Sequence, residues 1–174
     1  MMTEKPSFII DSNILITPQL TYYPMDLVPA FWTSLAEKIE DGTIVILDLV
    51  KDEIMALSEK DALCNWFEAI NVRNLVRHNE PDIVGKYGEI MNLLGTDGHY
   101  DNSKAIRNWS NVADPWIVSA AASRNYTIVT FEKPVQFSGN SKTSRPKIPN
   151  IASSFGVRVI DLYQMIRELG LSIT

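Results

Sequence analysis

Four acids occupy positions from which they could share a metal ion. Asp11 and Glu132 each follow directly after a short apolar, β-branched run, "SFII" and "TIVTF". Asp114 opens the helical pattern before "TIVTF", and Glu53 lies in the helical pattern after a further run, "TIVIL". Functional groups of an open parallel sheet gather outside the carboxyl ends of its strands. We therefore expect the four acids to converge at one edge of a sheet.

Such a cluster predicts phosphodiester hydrolysis with a divalent cation. Carboxylates this close repel one another and raise one another's pKa unless a cation neutralises them. Mg²⁺ and Mn²⁺ are hard ions that prefer oxygen ligands. A carboxylate-held ion can activate a water and stabilise both oxygens of an in-line phosphoryl displacement. The prediction is a nuclease in which all four acids hold the metal, directly or through water.

The elements that must position these acids follow an α/β pattern. Four β-rich runs, each followed by an acid, alternate with segments of helical period: "SFII", "TIVIL", "TIVTF" and "VRVI". This alternation is typical of a mostly parallel sheet. A helix is predicted from Pro29 to a stop at Gly42, and another starts with Asp114 as N-cap and Pro115 at the first helical position.

Other segments are assigned by the same signals. Three helical patterns follow the second strand, in "LVKDEIMAL", "ALCNWFEAI" and "DIVGKYGEIMNLL", and a last helix follows in "DLYQMIRELG". Residues 94–103 and 133–149, rich in Gly, Pro and small polar side chains, are predicted to be loops. Trp32, Trp66 and Trp116 lie at helical spacings and are expected in the core, whereas Tyr22 and Tyr23, in a loop after Asp11, could meet a base.

The composition limits the classes of protein to which the chain could belong. The 174 residues are 45% hydrophobic and 21% charged, which predicts one globular domain over residues 1–174. The single cysteine, Cys64, excludes an internal disulfide and a cysteine-rich zinc site, and two histidines are too few for most imidazole metal clusters. The sequence has no signal peptide and no apolar stretch that could span a bilayer, so a cytoplasmic protein without membrane contact is expected.

The charge is unevenly distributed. The net charge is −5, yet residues 133–160 carry five basic side chains and no acid. An acidic body argues against nonspecific binding to nucleic acid. The basic segment could contact phosphates that flank the cleaved bond, although a solvated loop explains it equally well. The candidate phosphate contacts are Lys133, Lys142, Arg145 and Lys147.

Several motifs in this order resemble the PIN-like domain superfamily. They are "FIIDSNILI", "LDLVKDEI", "ADPWIVSAAA" leading to "YTIVTFE", and the ending "KIPN…FGV", which resembles an uncharacterised prokaryotic branch. The resemblance implies a three-layer α/β/α sandwich with a central, mostly parallel sheet and a metal-dependent ribonuclease that cleaves single-stranded RNA.

The resemblance also implies roles and partners. Asp11, Glu53, Asp114 and Glu132 match the acidic positions of the superfamily, and Asn13 matches a polar position that orders the first loop. Glu132 departs from the usual aspartate or asparagine. PIN-like ribonucleases commonly act as the toxin of a toxin–antitoxin pair, so a small antitoxin is an implied partner besides RNA, and a homodimer is a further candidate assembly.

Simpler explanations exist for each acid, and other functions stay open. Asp11 could cap the turn "DSN", Asp114 could serve only as an N-cap, and Glu53 or its neighbour Asp52 could be a solvated helix residue. The main alternative function is a catalytically inactive PIN-like module that binds RNA or protein. An aspartyl phosphatase is disfavoured by Asn13, and dinucleotide binding by the lack of a GxGxxG motif.

Overall fold

The computed structural model describes residues 7–57 and 61–174, which form a central five-stranded sheet with the order β3-β2-β1-β4-β5. Every pairing is parallel, with Phe8 opposite both Ile44 and Thr127. The strands are β1 (Phe8–Ile10), β2 (Ile44–Leu47), β3 (Leu75–Val76), β4 (Thr127–Val129) and β5 (Val159–Ile160). The predicted parallel sheet is confirmed, and so are its four predicted strands.

Helices cover both faces of this sheet. All side chains of β1, β2 and β4 are buried, as expected where both faces of a parallel sheet are covered. The helices are α1 (Asn13–Thr17), α2 (Pro29–Glu40), α3 (Asp48–Met55), α4 (Ala62–Ala69), α5 (Pro81–Thr96), α6 (Asn102–Trp109), α7 (Asp114–Arg124), α8 (Ile148–Ser154) and α9 (Leu162–Leu169). The architecture is the predicted three-layer α/β/α sandwich with a central parallel sheet.

Several helix ends agree with the start and stop signals in the sequence. Helix α2 begins at Pro29 and is followed by Gly42 in the left-handed region, with φ of 80°. The Asp161 side chain caps α9 by accepting a hydrogen bond from the Gln164 amide, and Gly170 ends that helix with φ of 61°. The Ala-rich α7 packs against the sheet and α5, with Ala120 and Ala121 buried.

Other predicted boundaries were wrong. The loop predicted over residues 94–103 is shorter, because α5 continues to Thr96 and α6 begins at Asn102. Helix α6 buries only Ala105 and Trp109, which is too sparse a pattern to read against its polar neighbours. The loop predicted over residues 133–149 ends where α8 begins at Ile148, and the two-residue β3 was not predicted.

Aromatic residues divide between the core and its margin. Trp32 is buried, whereas Trp66 and Trp116 are only half-buried. Tyr22 ends a π-helical turn over Pro18–Tyr22 rather than lying in a loop, so that prediction was wrong. Cys64 is buried. In the described parts of the chain, no helix combines the length and the apolar character needed to cross a membrane.

Candidate functional site

Asp11 lies immediately beyond β1, where the strand leaves the sheet. Its backbone amide donates to the Val129 carbonyl at 3.0 Å, which continues the pairing with β4. Its side chain is only 7% exposed, and Oδ2 accepts a hydrogen bond from the Thr130 hydroxyl at 2.8 Å. A carboxylate is therefore fixed between the carboxyl ends of the two central strands.

Thr130 organises the loops around Asp11. Its Oγ1 accepts from Asn13 Nδ2 at 3.2 Å and from the Glu132 amide at 3.1 Å, while the Phe131 amide donates to Asn13 Oδ1 at 3.3 Å. A hydroxyl has one proton to donate and two lone pairs. Because both lone pairs face donors, the proton must point to Asp11, and the orientation of that carboxylate is fixed.

Asp114 is the first residue of α7 and not its N-cap, so that part of the prediction was wrong. Ala113 occupies the N-cap position, and no side chain caps the helix there. The Asp114 side chain instead accepts a hydrogen bond at Oδ2 from Trp109 Nε1, at 3.3 Å. Trp109 is buried in α6, so the carboxylate is held by a neutral donor from a neighbouring helix.

The acids influence one another's ionisation. Burial raises the pKa of Asp11 to about 6; the charges of Glu132 and Glu53 add to this rise, and the Thr130 hydrogen bond opposes it. Burial also raises the pKa of Asp114 to about 7, with further contributions from the charges of Asp11, Glu132 and Glu53. The four predicted residues thus lie close enough to repel one another, with Glu53 exposed on α3.

Glu132 has partners of its own. Lys147 Nζ lies 2.5 Å from its Oε1, and the amide of Ile148, the first residue of α8, donates to Oε2 at 2.9 Å. Both carboxylate oxygens are therefore engaged, and they tie the end of β4 to the start of α8. This contact closes the loop over residues 133–147.

The remaining candidate phosphate contacts are solvent-facing. Lys133, Lys142 and Arg145 are exposed, whereas Lys147 is half-buried and directed at Glu132. Contact of the exposed three with phosphate stays a prediction. Lys147 differs from them because its ammonium already has a carboxylate partner.

A complete metal-ligand set is not assembled in this conformation. Within residues 7–57 and 61–174, no group of three or more His, Cys, Asp and Glu side chains is arranged so that it could hold a metal ion. Protein-bound Mg²⁺ is usually held by one or two carboxylates, with waters and substrate phosphates completing its coordination. Asp11 and Asp114 fit this smaller requirement, because both are carboxylates held by neutral side-chain donors.

Comparisons with known proteins place this architecture. The family model described as a domain of unknown function, DUF4411, matches residues 8–173. The chain belongs to the DUF4411 family. No curated protein matches its sequence.

A solved structure shares the fold of this DUF4411 chain. It is VapBC2 from Rickettsia felis, bound to a DNA fragment from its promoter; the match has a TM-score of 0.53 at 16% identity and covers 88% of the present chain and 97% of the other. The likeness supports the PIN-like fold. The finer assignment, to one prokaryotic branch defined by "KIPN…FGV", stays a prediction.

Three side chains that contact the acids of the candidate site were not predicted from the sequence to do so. Thr130 holds Asp11, Trp109 holds Asp114, and Lys147 neutralises Glu132. Thr130 lies one residue beyond β4, at the edge where functional groups gather, and this position was the available signal. Trp109 had none, because α6 was not recognised as a helix.

Proposed function

We propose that this chain is an Mg²⁺- or Mn²⁺-dependent endoribonuclease that cleaves single-stranded RNA. One observation carries the proposal: the buried carboxylate of Asp11 and the half-buried carboxylate of Asp114 lie beside Glu53 and Glu132 at the carboxyl edge of a PIN-like sheet. Solvent and salt screen the charge of an exposed acid. Carboxylates that are shielded from solvent and repel one another attract a cation more strongly than exposed acids do.

Asp11 and Asp114 would hold the ion, and Glu53 and Glu132 would contact it through water. When bound, the ion supplies activation of a water and neutralisation of charge on the phosphate. The chain keeps the two carboxylates oriented through Thr130 and Trp109. With a pKa of about 7, Asp114 is partly protonated at neutral pH and must release its proton to bind a cation.

The same proposal extends to biological context. The structural likeness to VapBC2, a toxin–antitoxin complex, supports a role as the toxin of such a pair. A small antitoxin would then cover the acidic edge, and two copies of the chain could pair as a homodimer. The proposed compartment is the cytoplasm, where the RNA substrate occurs.

A binding module without catalysis is the second candidate. The observation that favours it is the contact between Glu132 and Lys147, which engages one of the four acids with an internal cation. In that case Lys147 would replace the metal at one end of the cluster, and RNA or a protein would bind without being cleaved.

The test is cleavage of a mixed-sequence single-stranded RNA with Mn²⁺, with Mg²⁺ and with EDTA. Cleavage is expected to require metal and to fall about 100-fold or more in Asp11→Asn and Asp114→Asn, a loss of roughly 2.7 kcal/mol in transition-state stabilisation. Asp82→Asn is the matched control, because this exposed acid pairs with Arg124 at the opposite end of α7.

Two results would overturn the proposal. Cleavage that is equal in all variants would place the activity outside these acids or in a contaminant. RNA binding without cleavage, combined with no binding of Mn²⁺, would establish the binding module instead.

A further inference from the structure

A groove opens beside the candidate site, on the side of β2 and β3. It has a volume of about 440 Å³ and lies between α3, the residues after β3 and the turn before α7. We call it the Trp116 groove; its walls include Leu49, Glu53, His78, Asn111, Val112 and Trp116. Glu53 belongs to both the groove and the acidic cluster, and Trp116 is two residues from Asp114. The groove is therefore continuous with the candidate site.

The indole of Trp116 is held in place by other rings. It stacks on Tyr87 with ring centroids 3.8 Å apart and an interplanar angle of 15°. The His78 ring meets it edge-on at 5.0 Å and 71°. Trp116 is half-buried, so part of its surface is available to the groove. A flat aromatic wall that is fixed before binding loses little conformational entropy when a second ring stacks on it.

His78 is in turn fixed by Asp48. Its Nδ1 lies 2.8 Å from Asp48 Oδ2, and its backbone amide donates to Oδ1 at 3.1 Å. Asp48 begins α3 directly after β2, and His78 follows β3. The aromatic wall is thereby anchored to the ends of two strands of the sheet, which is the rigid support that a binding site requires.

The charges around the groove select an uncharged ligand. Asp52 and Glu53 line it, and no Lys or Arg occurs among its described lining residues. A phosphate would be repelled here, whereas a neutral aromatic ring would not. Ser110 and Asn111 also line the groove and can donate to and accept from the edges of a base.

We propose that the Trp116 groove binds a nucleobase of single-stranded RNA, stacked on Trp116, while the adjoining backbone crosses the acidic cluster. The inference rests on the proposed function, since it names a base-binding subsite for the same substrate. Unpaired bases are commonly recognised by stacking on aromatic side chains together with hydrogen bonds to their edges. A volume of about 440 Å³ falls in the usual range for small-ligand sites.

The experiment measures RNA binding in a protein that cannot cleave. Fluorescence anisotropy of a labelled, mixed-sequence single-stranded RNA is recorded with Mn²⁺ and with EDTA, with Asp11→Asn as the parent protein and over a series of salt concentrations. Trp116→Ala and Trp116→Leu remove the aromatic ring, the latter preserving apolar packing, and Trp116→Phe retains a flat ring. Trp66→Ala is the matched control, because Trp66 is also a half-buried tryptophan in an aromatic contact, which it makes edge-on with Trp32, and it does not line the Trp116 groove.

Stacking of one base predicts a Kd that rises about 5- to 100-fold in Trp116→Ala and Trp116→Leu. Trp116→Phe keeps a flat ring and should weaken binding less than Trp116→Leu does, whereas Trp66→Ala should stay within about 2-fold of the parent. The dependence of Kd on salt should be unchanged in all variants, because no phosphate contact is removed. If Trp116 had only a structural role, the Kd values of Trp116→Phe and Trp116→Leu would not differ in this way.

The proposal is overturned if Trp116→Leu binds RNA as the parent does, if Phe and Leu weaken binding equally, or if the parent shows no binding at low salt. Its failure is distinguishable from that of the nuclease. Metal-dependent cleavage by the wild-type chain together with binding indifferent to Trp116 removes only the groove. Trp116-dependent binding without any cleavage supports the groove and removes the nuclease.

Discussion

The two ends of α7 hold acids in opposite states. At its first residue, Asp114 is half-buried near Asp11, and desolvation raises the pKa of Asp114 to about 7. At its last residue, the Arg124 guanidinium donates to Asp82 Oδ2 at 2.9 Å and to Glu80 Oε2 at 2.5 Å. Hydrogen bonds from Arg124 lower the pKa values of both those acids.

The difference separates acids that stabilise the fold from acids that are available to a ligand. Glu80 and Asp82 join α5 to the end of α7 through an exposed ion-pair network, so their charge is satisfied within the chain. Asp11 and Asp114 are held by the Thr130 hydroxyl and the Trp109 indole, which orient a carboxylate without neutralising it. Buried acids with perturbed pKa values cluster at functional sites.

The largest effect expected from this contrast is on the pH dependence of stability. The pKa of Asp114 rises from 3.8 to about 7 on folding, and that of Asp11 from 3.8 to about 6. Between about pH 4 and pH 7 the native state therefore keeps protons that the unfolded chain has released. The free energy of unfolding of the metal-free protein should fall as pH rises through this range and level off above it.

Substitution tests the assignment to these residues. Asp114→Asn removes the charge while preserving an acceptor for Trp109, and at pH 8 in EDTA it should raise the free energy of unfolding by about 1–3 kcal/mol. Asp82→Asn should instead lower the midpoint of thermal unfolding by no more than about 3 °C, because an exposed pair contributes little. Denaturation of both variants at pH 5 and pH 8 makes the measurement. A loss of stability in Asp114→Asn at pH 8 would make the two ends of α7 alike and contradict the contrast.

The second prediction concerns Mn²⁺ as a stabilising ligand. At ten times its Kd and pH 8, a cation that binds only the folded chain adds about 1.4 kcal/mol, or roughly 3–6 °C in the midpoint for a chain of this size. The shift should shrink at pH 5.5, where protons compete for Asp11 and Asp114. It should vanish in Asp114→Asn and persist in Asp82→Asn, as measured by thermal unfolding with and without Mn²⁺. An equal shift in both variants would place the bound ion elsewhere.

The sequence was sufficient to predict four of the five strands of the sheet, because their signals are local. The runs around Phe8–Ile10, Ile44–Leu47 and Thr127–Val129 are continuous and β-branched, as buried parallel strands require. Strand β3 has only two residues, Leu75 and Val76, so it offers no periodicity to detect. Helix α8 was not predicted, because it begins in a segment whose prolines and small polar residues favour a loop.

The candidate site was predictable only in part, because only some of its contacts leave a local signal in the sequence. Asp11 and Asp114 lie next to recognisable element boundaries, so topology alone brings them to one edge of the sheet. Their partners depend on contacts between distant residues, such as Thr130 with Asp11 across a separation of 119 residues. The Glu132–Lys147 contact depends on how a loop returns to the sheet, and neither residue type nor spacing encodes that path.

Lys147→Met provides the third and smallest test, on Glu132, whose carboxylate pairs with the Lys147 ammonium. Removing the ammonium leaves Glu132, which is 16% exposed, with the Ile148 amide as its remaining donor. At pH 8 the free energy of unfolding should fall by about 1 kcal/mol, and a double-mutant cycle with Glu132→Gln should give a coupling energy above about 0.5 kcal/mol. Lys133→Met, in the exposed part of the same basic segment, should leave stability unchanged. If Lys147 instead contacts RNA phosphate, its removal would lower the salt dependence of RNA binding by about one charge. That change, together with a coupling energy near zero, would assign Lys147 to the substrate. Glu132 would then lack a compensating cation, as Asp11 and Asp114 do.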